Sequence, residues 1–465
     1  MGQNFLPDTV NQTLLFPPSL HDWLPDGHLA RFVVDVVSAL DLESIYASYR
    51  EKDGRGQSAY APEMMVRLLL YGYATGVYSS RRLEKHTWED VAFRYLSGDQ
   101  HPDHATLAEF RKRHLAALSE LFTQALLLCA KAGLVKLGHV SIDGTKIRAN
   151  ASKHKAMSYQ RMTESEARLK QEINALLAAA EKADADEDAQ YGKDRNGEEL
   201  PDELQRRESR LQKIREAKQA LEDEAREKAE QKLAEAEKKQ ADEEEDRRAG
   251  KKKRGRKSNP PDPDKAKPAD KDQRNFTDPE SRIMPDGANK GSFLQAYNAQ
   301  IAVDSIAQVI VAAAVTQETN DKKQLLPMVA QIEKNLAQKP EKVSADTGYF
   351  SEANVTDATV AEIDLYIATG RDKHSDPTEI ACGEAPSDAT AREQMQHKLK
   401  TEAGRAVYKR RKAIVELVFG QIKECRGFRR FSMRGKQNVS GEWRLVCAVS
   451  NLLKLFRSGW ALQNA

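Results

Sequence analysis

The sequence predicts an α/β protein: a sheet covered by helices, preceded by an all-α N-terminal domain and interrupted by a long charged helical insertion. Three observations carry this reading. Residues 1–130 follow helical periodicity. Short strand-like runs at 139–148, 297–316 and 343–369 are followed or separated by helical ones. Between them, residues 159–248 are dominated by Ala, Glu, Lys, Arg, Asp and Gln with few aromatic side chains. The domain boundaries that follow are a helical domain at 1–130, the first part of the sheet domain at 135–158, the charged insertion at 159–250, a basic linker at 251–275 and the remainder of the sheet domain at 276–465.

In the first domain, Pro62 stands where a helix can begin, and Met64, Met65, Leu68, Leu69 and Tyr73 recur at helical spacing up to Gly76, a C-terminal cap. Ser79 or Ser80 is placed to cap a second helix through RRLEKHTWEDVAFRYL. After the turn residues DQHPDH a third helix is expected from Thr106, with Glu109 completing a capping box. Arg81, Arg82, Arg111, Lys112 and Arg113 on two of these helices are candidates for DNA phosphate contacts; solvated faces of a helical bundle explain the same charges.

HVSID at 139–143 is a short strand, and TKIRANA after Asp143-Gly144 either continues it or pairs with it. In the insertion, Leu169, Ile173, Leu176 and Ala180 form one narrow stripe. After a break rich in Asp, Asn and Gly with Pro201 at the restart, Leu204, Leu211, Ile214, Leu221 and Ala225 form a second. Two stripes joined by a turn predict an antiparallel coiled-coil hairpin, although Lys218 and Lys228 fall on seam positions. The segment GKKKRGRKSNPPDPDKAKPADKD cannot pack. Its Lys251, Lys252, Lys253, Arg254, Arg256 and Lys257 suit a DNA backbone, and equally an ordinary soluble tether.

From Phe293 the chain reads as two strands, YNAQIAVDS and AQVIVAAAVT, around a turn near Asp304. A helix LPMVAQIEKNLA follows, then a strand opening VSADTGYF, a strand IDLYIAT at 363–369, a long irregular stretch, and helices at 405–423 and 439–456.

Composition narrows the class of function. The 73 basic and 71 acidic side chains nearly cancel, which excludes a uniformly basic nucleic-acid coat and leaves any such binding to local patches. Cys129, Cys382, Cys425 and Cys447 are scattered without metal-ligand spacing, so neither a disulfide framework nor a zinc site is expected. The N-terminus lacks a secretory pattern and no apolar run approaches about 18 residues, so a cytoplasmic protein without membrane spans is expected.

Three carboxylates end or follow the predicted elements: Asp143 on the first strand, Asp346 on the strand before GYF, and Glu416 on a late helix. Metal-assisted phosphoryl transfer needs such groups, because two Mg²⁺ ions about 3.5–4 Å apart require oxygen ligands on a rigid sheet. Each residue also has an ordinary alternative: a hairpin turn at Asp143-Gly144, a helix cap at Asp346, a solvated helical acid at Glu416. Asp304 and Asp321 compete with them, the first as a hairpin turn and the second as a helix cap.

The runs SIDGTKIRANAS, QRNFTDPESRIM, QAYNAQIAVD, ADTGYFS and IVELVFGQIKECRGFRRFSMRG, in this order, resemble bacterial insertion-sequence transposases of the DDE superfamily. AYAPEMMVRLLLYGYATGVYSSRRLEKH and HPDHATLAEFRKRH resemble the helical domain that precedes the catalytic domain in that group. The resemblance implies a ribonuclease-H-like fold with Asp143, Asp346 and Glu416 as catalytic, metal-binding triad for two Mg²⁺ or Mn²⁺ ions. It implies cutting at terminal inverted repeats, joining of the freed 3′-hydroxyls to target DNA, and a homodimer or higher assembly on double-stranded DNA. The family's Tyr-Arg-Glu-Lys signature maps onto Tyr408, Glu416 and Lys423, but Arg411 stands five residues before Glu416 where the pattern places its arginine four before. On a helical wheel, Lys412 falls nearer Glu416 than Arg411 does, so Lys412 is expected to perform the arginine's task, with Ile414, Leu417, Val418 and Ile422 on the packed side. Lys423, Arg426, Arg429, Arg430, Arg434 and Lys436, interleaved with Phe428 and Phe431, are expected to hold DNA phosphates. A DNA-binding regulator without catalysis and a nuclease without strand transfer are the competing functions.

Overall fold

The computed structural model describes residues 19–50, 58–191, 202–248, 262–287, 289, 291–370, 380–383, 385–386 and 388–460. The break after residue 191, Pro201, and the tether with Lys251, Lys252, Lys253, Arg254, Arg256 and Lys257 lie outside them. The chain divides into two compact units, Met1–Ile147 with Asn298–Ala465, and Arg148–Tyr297.

The first unit opens with helices α1 (Leu29–Ala39), α2 (Glu43–Arg50), α3 (Pro62–Thr75), α4 (Ser80–Glu89), α5 (Val91–Ser97), α6 (His104–Arg113) and α7 (Leu115–Lys131). Pro62 starts α3 and Gly76 ends it in the left-handed conformation at φ 80°. The Met64, Met65, Leu68, Leu69 and Tyr73 stripe is buried, as the spacing predicts. The single helix expected after Ser79 is two, because Asp90 interrupts it and caps α5 by accepting from the Ala92 and Phe93 amides. Likewise α6 starts before Thr106: Asp103 accepts from the Ala105 and Thr106 amides, and Glu109 reaches forward to Arg113 rather than back to a cap. An Asp one turn upstream thus replaces the Thr-Glu box.

The sheet is built from β1 (Val140–Arg148), β5 (Phe293–Asp304), β6 (Ile310–Thr316), β7 (Lys342–Ala345) and β8 (Asp364–Ile367). The order is β6–β5–β1–β7–β8; β5 and β6 are antiparallel, whereas β1, β7 and β8 run parallel. Strand β1 runs unbroken through Asp143-Gly144, so no hairpin forms there. Asp304 does turn the β5–β6 hairpin, accepting from the Ile306 amide at 2.9 Å and also from the Leu137 amide at 2.8 Å just before β1. Helices α10 (Leu325–Leu336), α11 (Glu352–Thr356), α12 (Ala391–Lys400), α13 (Glu402–Gly420) and α14 (Lys436–Arg457) complete the unit. The irregular stretch expected before residue 405 contains α12, started by a Thr390–Glu393 capping box. Helix α14 packs against both α7 and β6. Gly441 lets it approach Leu115, where a Cβ would stand 2.7 Å from Leu115 Cγ, and buried Asn451 bonds both the amide and the carbonyl of Ile310 at 2.8 Å. Among the described residues no helix is long and apolar enough to cross a membrane.

In the second unit, β2 (Ala156–Ser158) pairs antiparallel with β3 (Gln273–Asn275), and β4 (Arg282–Pro285) with the first residues of β5. Residues 273–275, assigned above to the linker, are therefore a strand. Helices α8 (Tyr159–Tyr191) and α9 (Asp202–Arg248) pair antiparallel: Tyr159 bonds Glu222, Glu166 meets Arg215 and Lys218, and Glu172 meets Arg207, so partner numbers fall as α8 advances. Leu169 and Ile173 bury against Leu211, Ile214 and Leu221, joined by Met162 and Ala217, with Leu176 at the margin; the side chains of Ala180 and Leu204 lie outside the described residues. Lys218 is accommodated at the seam because its ammonium turns out to Glu166, whose carboxyl is drawn down to about 2 by hydrogen bonds from Lys170, Lys218 and Arg215.

Candidate active site

Parallel pairing of Ile142 with Ala345 is followed by Asp143 in β1 and by Asp346, the first residue past β7. Asp346 accepts from the Gly348 amide at 2.8 Å and caps the turn Thr347–Tyr349, so the capping role and the site position coexist. Asp143 accepts from the Gly144 amide at 2.8 Å, with Arg411 Nη1 3.6 Å from its Oδ2. Burial pushes the Asp143 carboxyl up to about 6. The Gly144 amide and Arg411 pull against burial, while the negative charges of Asp346 and Asp321 add to it.

Successive residues of β1 serve opposite faces. On the Asp143 face, Thr145 Oγ1 accepts from Lys423 Nζ and Arg411 approaches from α13. On the Gly144 face stands Asp321, in the segment between β6 and α10. Its Oδ1 accepts from Asn298 Nδ2 and Gln300 Nε2, both at 2.7 Å. Gln300 is the hub of this face. Its Oε1 accepts from the buried Tyr349 hydroxyl, and its backbone carbonyl from Trp443 Nε1 at 3.1 Å. Gly144 is required by this packing, because a Cβ there would collide with Gln300 Nε2 and stand 2.8 Å from Asp321 Oδ1. Lys146, two residues on, brings its Nζ to 3.9 Å from Asp321 Oδ1. Burial lowers its pKa, opposed by the charges of Asp321, Asp346 and Asp143.

Glu416 is exposed on α13, whereas Asp321 is among the charges acting on Asp143. Among the described residues no group of three or more His, Cys, Asp or Glu side chains is arranged to hold a metal ion. Asp321 was expected to cap a helix through its side chain. Its backbone carbonyl accepts from Gln324, while its carboxylate faces the site.

The geometry reverses the expectation for Arg411 and Lys412. Lys412 is exposed, whereas Arg411 is buried beside Asp143 and over the Tyr408 ring at 5.7 Å. The face of α13 that packs is set by Ile414, Val415 and Val418, and Arg411 lies about 40° from Val415 on the wheel. Leu417, expected to pack, is 54% exposed. The wheel also changes phase after Gly420, where Gln421–Cys425 form a π-helical turn closed by the Arg426 amide on the Gln421 carbonyl.

The basic candidates divide into exposed and buried. Arg426 is buried, donating to Ser450 Oγ and the Val446 carbonyl, and Phe428 and Phe431 are core side chains rather than stacking surfaces. Arg429, paired with Glu424, lies on the surface with Arg430, Arg434 and Lys436. In the N-terminal helices Arg81, Arg82, Lys112 and Arg113 are exposed. Arg111 is buried, donating to Tyr78 O at 2.9 Å and to Tyr73, whose hydroxyl bonds the buried Glu442.

Sequence reasoning missed Lys146, Asn298 and Gln300 as site residues. Polar Asn298 and Gln300 at period two beside the apolar run Ile301, Ala302 and Val303 were the available signal.

Residues 18–113 match a transposase domain (DUF772), and residues 373–456 match a transposase DDE domain. The second match contains α13 with Arg411 and Glu416, as well as α14; Asp143 and Asp346 lie outside both. No match was found among curated proteins or among solved structures. The two matches, in this order on one chain, support an insertion-sequence transposase of the DDE superfamily.

Proposed function

We propose that this transposase cuts double-stranded DNA at the terminal inverted repeats of its element and joins the 3′-hydroxyl ends to target DNA, acting as a homodimer or higher assembly in the cytoplasm. The observation that carries the proposal is that Asp143 and Asp346 each follow directly on the paired Ile142 and Ala345 of two parallel strands. The strand order β6–β5–β1–β7–β8 supports a ribonuclease-H-like domain.

Two adjacent carboxylates fit Mg²⁺ or Mn²⁺, because Mg²⁺ is commonly bound through one or two carboxylates with water and substrate phosphates completing its shell. Bound there as a pair, such ions supply activation of the attacking oxygen and stabilisation of the leaving one. Glu416 is assigned to the same ions on the resemblance and on its place in the matched DDE domain. The chain's own residues do the rest. Arg411 holds Asp143 in place, Lys423 fixes the strand through Thr145, and the Gly348 amide orients Asp346. Exposed Arg81, Arg82, Lys112 and Arg113, with Lys412, Arg429, Arg430, Arg434 and Lys436, provide phosphate contacts away from the reacting bond.

A strand-transfer assay with labelled repeat ends tests this. Joined products that require Mg²⁺ are expected. Cuts without joining would make the protein a nuclease, and binding alone a regulator. A second test uses Gly144→Ala, which forces Gln300 away from Asp321. Cleavage is expected to fall by about a hundredfold, the cost of roughly 1 Å of misplacement. Unchanged cleavage would show that this packing does not serve the site.

A further inference from the structure

We propose that Lys146 is a substrate-binding residue whose ammonium contacts a non-bridging oxygen of the DNA phosphate at the site of cutting. The inference rests on the transposase reading above and adds a residue to it.

Lys146 is on the same strand as Asp143 and on the same face as Gly144, so its position is fixed by the sheet rather than by a loop. Its nearest carboxylate, Asp321, is 3.9 Å away, beyond hydrogen-bond length, and Asp321 Oδ1 already accepts from Asn298 and Gln300. The ammonium therefore carries three donors and forms no hydrogen bond among the described residues. The side chain is 20% exposed, which leaves the charge open to an incoming ligand. Asp143, Asp346 and Asp321 together repel a polyanion, and a cation among them offsets that repulsion where DNA has to approach. Arg411 is not placed to do this, because it is buried against Asp143 and Tyr408. When a divalent cation neutralises Asp143 and Asp346, Lys146 keeps Asp321 as its partner and has donors left for phosphate.

The test is a double-perturbation cycle on the full chain in Ca²⁺, with a duplex carrying one repeat end and the same duplex bearing one neutral methylphosphonate at the position of cutting. Lys146→Gln and the methylphosphonate are each expected to weaken binding by about tenfold, the scale of one charge-assisted hydrogen bond. Combined, they are expected to weaken it no further than either alone. Lys146→Arg should retain sensitivity to the methylphosphonate. Lys146→Met keeps the stem packed and repeats the cycle if the Gln variant does not fold. Additive losses, or a Lys146→Gln variant that melts earlier but binds the charged duplex like wild type, would make Lys146 a structural counter-ion and overturn the proposal. A wild-type chain that neither cuts nor joins such ends would instead overturn the reading beneath it.

Discussion

Asp143→Asn and Asp346→Asn are each expected to lower Mg²⁺-dependent cutting by more than about a hundredfold, while binding to DNA ends changes little. Loss of a group one shell further from a metal already costs about 10–100-fold, and these carboxylates are proposed as direct ligands. Binding survives because the exposed arginines and lysines of α4, α6 and the 429–436 segment are untouched. Glu416→Gln is expected to behave in the same way. Rates and affinities for one labelled repeat end decide the matter. Near-normal cutting by Glu416→Gln together with loss in Asp321→Asn would move the third position to Asp321, the carboxylate that acts on Asp143.

The same Asp143→Asn change is expected to stabilise the metal-free fold at neutral pH. Burial raises the Asp143 pKa from 3.8 to about 6, so the folded state favours the neutral form. That preference contributes fully below the unfolded pKa and is lost as pH rises through about 6. The shift of about two units corresponds to about 3 kcal/mol. Wild type should therefore lose about 3 kcal/mol relative to Asp143→Asn between about pH 3 and pH 7, with chelator present. Denaturant melts of both proteins at the two pH values measure this. Parallel pH dependence would mean that Asp143 is solvated like an ordinary surface carboxylate.

The elements with strong local patterning were legible in the sequence. The stripe of α3 between Pro62 and Gly76, the alternating and apolar runs of β5 and β6, and the facing stripes of α8 and α9 each carry their period within one segment. Legibility failed where a neighbour decided the outcome. Asp90 and Asp103 reset helix starts through side-chain bonds that competed with nearby Ser and Thr caps. β7 pairs with β1 only as far as Ile142, so continuation of β1 through Asp143-Gly144 rests on its other neighbour, β5, which no local signal in β1 contains. Asp143 and Asp346 could be singled out as strand-end carboxylates, but the roles of Arg411, Gln300 and Lys146 depend on three separate elements meeting. The wheel of α13 gave the angle between Arg411 and Glu416 and assigned the arginine's task to Lys412, whereas Arg411 is the one that stands beside Asp143. The packing of Ile414, Val415 and Val418 fixes that orientation.

The central claim is that Asp143 and Asp346 hold the ion at which DNA is cut, and metal-directed cleavage of the protein chain tests it most directly. Fe²⁺ with ascorbate and peroxide, substituted for Mg²⁺ on the full chain, should cut the backbone beside residues 143 and 346. Both cuts should be suppressed by excess Mg²⁺ and lost in Asp143→Asn. Cutting elsewhere, or cuts at these positions that persist in excess Mg²⁺, would contradict the claim.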